Sequence, residues 1–94
     1  MALYIGLMSG TSMDGIDAAL VEFGSDSDQP RLLATHARAW PNELVQQLHT
    51  ICTPGDNEID RMGKADVALA QMIGHGINTL IERNNLDRDQ IKAI

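Results

Sequence analysis

The sequence has 94 residues, is 44% hydrophobic, and carries a net charge of −6 from seven basic and thirteen acidic side chains. These values fit one globular domain at the lower edge of the usual size of about 100–150 residues, exclude a disordered chain, and argue against nucleic acid as a main partner, since a phosphate backbone is met with clustered Lys and Arg. The single cysteine, Cys52, excludes an internal disulfide and a paired-cysteine metal site; with no apolar run near the roughly 20 residues of a membrane span and no signal-peptide pattern at the N-terminus, the expected compartment is the cytoplasm.

Residues 3–8 read as a short buried strand. Residues 16–23 read as a second, with Ile16, Ala18 and Leu20 on one face and Asp17, Ala19, Val21 and Phe23 on the other. Gly24 and the polar run "SDSDQP" end it; Asp26 and Asp28 there lack the glycine and glutamate of a calcium loop and read as a solvated turn. Residues 31–40 read as a third strand, and short links between the three predict an antiparallel meander.

The pattern then turns helical. Pro41 suits the first position of a helix and Glu43 its first turn. Leu44, Val45, Leu48, Ile51 and Cys52 are expected on its inward side, and Pro54-Gly55 stops it. Asp56 or Asn57 can cap a second helix running to about residue 84. Its expected inward stripe is Ile59, Met62, Leu69, Met72, Ile73, Ile77, Leu80 and Ile81. Gly74 and Gly76 lie within it, and close packing against a neighbour is one reason for them. Asp87 can cap a short turn, after which "IKAI", residues 91–94, reads as the start of a buried strand parallel to the first, reached by a right-handed crossover. A strand so near the terminus reads as a truncation; a natural edge strand is the alternative.

The isolated side chains carry little chemistry. His49 and Cys52 stand three apart on one helix with no further ligand nearby, so core packing is the better reading. His75 reads as a half-buried structural residue, His36 carries no signal, and Trp40 before Pro41 reads as a packing anchor at the strand-to-helix corner.

The informative stretch is the seven-residue connection "SGTSMDG", residues 9–15, between the first two strands. A tight hairpin needs only about two to five residues. Gly10 and Gly15 are expected to allow positive φ and close approach of a ligand. Successive N–H groups in such a turn can form an anion nest, and Ser9, Thr11 and Ser12 add hydroxyl donors. Asp14 would repel a polyphosphate unless a cation, Mg²⁺ with retained waters, lay between them. Asp17 could orient those waters or the loop. The familiar nucleotide fingerprints are absent: no G-x-x-x-x-G-K-[ST], no G-x-G-x-x-G, and no nucleophile elbow. A wide polar hairpin loop is the plain alternative.

The twelve residues "GLMSGTSMDGID", 6–17, resemble the N-terminal signature of the anhydro-N-acetylmuramic acid kinases, of the superfamily that includes hexokinase, actin and the Hsp70 chaperones. The similarity extends through the meander, the "WP" entering the first helix, "CTPGDNEI" between the helices, and the closing "IKAI". It implies an α/β fold, part of a ribonuclease-H-like nucleotide-binding core: a three-stranded antiparallel meander, two helices and the start of a parallel strand. Residues 1–94 would be the N-terminal part of the first, ATPase-type kinase domain, truncated just before the Gly-[Ser/Cys]-His-Gly-Gln stretch of the family. The implied activity is ATP-dependent opening and phosphorylation of 1,6-anhydro-N-acetylmuramic acid to N-acetylmuramic acid 6-phosphate. That step belongs to amino-sugar catabolism and peptidoglycan recycling.

The implied cofactors are ATP and Mg²⁺, and the implied partner is the small-molecule sugar, with neither nucleic acid nor membrane and with room for a homodimer in the full-length protein. The resemblance assigns ATP-phosphate binding to Gly10, Thr11, Ser12, Met13, Asp14, Gly15, Ile16 and Asp17. Many superfamily members carry an aspartate two residues before the glycine, where this chain has Met8, which makes Asp14 the local metal candidate. The general base, adenine pocket and most of the sugar site would lie downstream. No residue of the chain takes a catalytic role, and the isolated chain is expected to be inactive. The competing reading is a non-catalytic α/β module, or an inactive remnant, whose loop binds a partner or nothing.

Overall fold

The computed structural model describes residues 2–24 and 29–94; the turn expected around Asp26 and Asp28 lies outside them. Three strands come first: β1, Ala2–Met8; β2, Gly15–Phe23; β3, Arg31–Ala39. Two helices follow, α1 over Asn42–Thr50 and α2 over Glu58–Arg83. A single 3₁₀ turn, Arg88–Gln90, leads into β4, Ile91–Ala93. The sheet order is β3-β2-β1-β4, antiparallel through the meander and parallel between β1 and β4. This is the α/β arrangement expected from the sequence, consistent with part of a nucleotide-binding core.

Period-2 alternation decides which sheet face is covered. Leu3 and Ile5 of β1 and Ile16, Ala18 and Leu20 of β2 are all buried, as the pattern predicts. Leu80 and Ile81 of α2 close over Leu3, Ile5, Ala18 and Leu20 to form one core cluster. A second cluster joins Ile16, Trp40 and Leu44, with Leu69, Met72 and Ile73 of α2 against it, and Leu7 touches both. Trp40 is thus the corner anchor it was expected to be. The opposite sheet face carries Tyr4, Met8, Asp17 and Phe23 toward solvent, with the Tyr4 and Phe23 rings edge-on at 5.3 Å.

The helices depart from the sequence pattern in four places. Ile59 and Met62 point outward, 83% and 59% exposed, although Ala65 in the next turn is buried. Cys52 lies past the end of α1 and is exposed, its thiol donating to the Leu48 carbonyl. With His49 also exposed, neither belongs to the core. His75 is exposed as well, not half-buried.

The caps are also rearranged. Pro41 occupies the N-cap of α1, one residue before the first helical position. Asn57 caps α2 from a left-handed conformation, φ 55°, without a side-chain cap bond; the Glu58 carboxylate instead accepts from the Gly55 N–H at 2.7 Å. Of Gly74 and Gly76, only Gly76 has a near neighbour, with Ile16 and His36 atoms 4.0 Å from where a Cβ would sit. β4 is a short edge strand whose Ile91 is half-buried, while Ile94 beyond it is exposed. No helix among the described residues is long and apolar enough to cross a membrane.

Candidate functional site

β1 and β2 stop pairing at Met8 and Asp17. β2 begins earlier, because Gly15 and Ile16 pair with Ala39 and Arg38 of β3. The connection is therefore residues 9–14, fastened to β3 at its far end and free of β1. Gly15 belongs to the strand, and its glycine has a tertiary cause. A Cβ there would lie 2.6 Å from the Arg38 carbonyl oxygen and 3.2 Å from the Ala39 Cα, both backbone atoms that cannot move aside.

Positive φ is not what the two glycines supply. Among the described residues no glycine has it; the left-handed residue of the loop is Met13, φ 54°. That conformation costs a non-glycine residue on the order of 1 kcal/mol. The turn that holds it is closed by the Met13 N–H donating to the Gly10 carbonyl at 3.0 Å. The N–H groups of Gly10, Thr11 and Ser12 have no backbone acceptor among the described residues.

Three further bonds set the loop. Ser9 Oγ donates to the Gly15 carbonyl at 2.9 Å, and Ser12 Oγ to Asp14 Oδ1 at 2.8 Å. The Trp40 N–H donates to the Asp14 carbonyl at 2.8 Å, adding one rung beyond the β2–β3 ladder. Asp14 is consequently held twice, by its carboxylate and by its backbone, while remaining exposed. Gly10, Thr11, Ser12 and Asp17 are exposed too, Met13 and Gly15 are half-buried, and Ile16 is buried.

An open hollow of about 520 Å³ lies over this end of the sheet, lined by Gly10, Ser12, Asp14, Asp17 and Arg38 among others. Thr11 and Met13 stand outside its lining. Arg38, its one cation, is not among the residues the sequence singles out; its place opposite Ile16 follows only from the β2–β3 register.

Among the described residues no three His, Cys, Asp or Glu side chains gather as a complete metal cage. The hollow offers two carboxylates, Asp14 and Asp17. Mg²⁺ is usually held by one or two carboxylates plus phosphate oxygens and waters. The donor set therefore fits a metal that arrives with a phosphate ligand.

The family model for anhydro-N-acetylmuramic acid kinase matches residues 2–94. The chain belongs to the anhydro-N-acetylmuramic acid kinase family. Kinases of that name from Acinetobacter baylyi, Shewanella halifaxensis and Shewanella amazonensis are 55%, 48% and 43% identical to it, over 99%, 97% and 99% of the chain. The chain spans about a quarter of the length of these curated relatives, 24%, 24% and 25%.

Proposed function

We propose that residues 1–94 are the N-terminal part of the first, ATPase-type domain of an ATP-dependent kinase. The kinase opens the anhydro ring of 1,6-anhydro-N-acetylmuramic acid and yields N-acetylmuramic acid 6-phosphate, in amino-sugar catabolism and cell-wall recycling in the cytoplasm. The observation that carries this reading is the family match across residues 2–94. The fastened loop with unclaimed N–H groups at its tip supports the role given to the site.

In this reading the backbone of Gly10, Thr11 and Ser12, with the Thr11 and Ser12 hydroxyls, faces the ATP phosphates. Asp14 holds Mg²⁺, and Asp17 orients its waters or the loop. Met13, Gly15 and Ile16 shape the backbone. When bound, Mg²⁺-ATP supplies the phosphoryl group and the charge neutralisation on which phosphoryl transfer depends. No residue of the chain is given the role of general base, and the chain alone is not expected to turn over substrate.

The substrate claim is tested by ADP release from the full-length kinase on addition of anhydro-N-acetylmuramic acid. Release at background level would overturn it. For the site, Asp14→Asn should raise the KM for Mg²⁺-ATP by about tenfold or more while the KM for the sugar stays near that of the parent. Unaltered Mg²⁺ and ATP titrations would remove Asp14 from the metal role.

A further inference from the structure

We propose that Trp40 is a positioning residue for the loop, setting the place of Asp14 through the strand-to-helix corner. The inference rests on the reading of residues 10–17 as the ATP-phosphate site. Trp40 is only 4% exposed, and it packs with Ile16 and Leu44 in one cluster. Ile16 stands two residues after Asp14 in the chain. The same cluster therefore pins the strand that leaves the loop and the residue whose N–H holds the Asp14 carbonyl at 2.8 Å. Pro41 follows at φ −55° and starts α1. A residue before proline is confined to extended backbone, so Trp40 has little freedom except to move with its ring.

The side chain acts on the loop by where it seats its own backbone. Emptying the ring's place lets the corner settle inward, and the Asp14 rung shifts with it. Asp14, once displaced, no longer presents its carboxylate where Ser12 Oγ meets it. A displacement of about 1 Å at a positioned group can cost as much as a hundredfold in rate. The indole N–H has no acceptor among the described residues. Phenylalanine, which keeps a ring and drops that donor, should therefore preserve the corner.

The test is steady-state kinetics on the full-length kinase, varying ATP and sugar separately, with the Tm of each variant recorded. Trp40→Ala should raise the KM for ATP about tenfold and leave the KM for the sugar within about twofold. Trp40→Phe should restore most of the loss. Leu80→Ala, in the other core cluster, is the control: it should lower Tm and leave both KM values alone. A Trp40→Ala enzyme with a parental KM for ATP, or with both KM values raised alike, overturns the proposal. Should Trp40→Ala give no folded enzyme, Trp40→Leu is read against Trp40→Phe by the same criterion. Asp14→Asn, run in parallel, separates the two claims. If it shifts the KM for ATP and the Trp40 variants do not, this inference alone fails; if it does not, Asp14 loses its role in the site and the inference, which acts through Asp14, fails with it.

Discussion

The two ends of α2 carry similar large apolar residues with opposite fates. In the second half, Ile77, Leu80 and Ile81 lie against the sheet, and Leu80 is 1% exposed. At the start of the helix, Ile59 and Met62 are exposed, and of the apolar residues there only the small Ala65 is buried. A helix of 26 residues is about 39 Å long at 1.5 Å per residue. That exceeds both shorter extents of the molecule, 24 and 19 Å, so α2 cannot lie along either of them. Burial is set by what lies beneath a residue, and hydrophobicity alone does not provide it.

The largest effect should come from the covered half. Leu80→Ala removes a fully buried side chain and should cost about 2–5 kcal/mol, read as a fall in the thermal midpoint. A loss below about 1 kcal/mol would mean the helix is not seated on the sheet as described. The middle of α2 should answer in the other direction. A Cβ at Gly74 would meet nothing within 4 Å, so Gly74→Ala should stabilise by up to about 1 kcal/mol through helix propensity and unfolded-state entropy. Destabilisation by the same measurement would reveal a neighbour at that position. The exposed start of α2 should give the smallest response. Ile59→Gln should change stability by no more than about 0.5 kcal/mol. A larger loss would show this end of α2 to be covered in the working protein and would erase the contrast.

Much of the fold is legible in the sequence, because strand alternation and helix periodicity report local geometry. The alternation of Ile16, Ala18 and Leu20 is enough to mark the covered face, and the "IKAI" run marks the parallel strand. What stays hidden depends on distant parts of the chain. Periodicity puts Ile59 and Met62 on the same side as Leu80 and cannot tell that the core does not reach them. At the candidate site the composition of the loop is legible and its mechanics are not. Gly10 and Gly15 invite an assignment of positive φ that in fact falls on Met13. Gly15 answers to a carbonyl of β3 that is remote in sequence. Arg38 and Trp40 join the site only through the β2–β3 register and the corner after it.

The β1–β4 pairing has a kinetic consequence. Leu3 stands beside Ile91, so this ladder joins positions separated by almost the entire chain, whereas the meander joins near neighbours. Loop-closure entropy grows with the length enclosed, and non-local pairings slow folding. The meander can zip by short closures, while β4 has to wait until α2 is laid down and carries it to the edge of β1. β4 should thereby gain protection later than the meander.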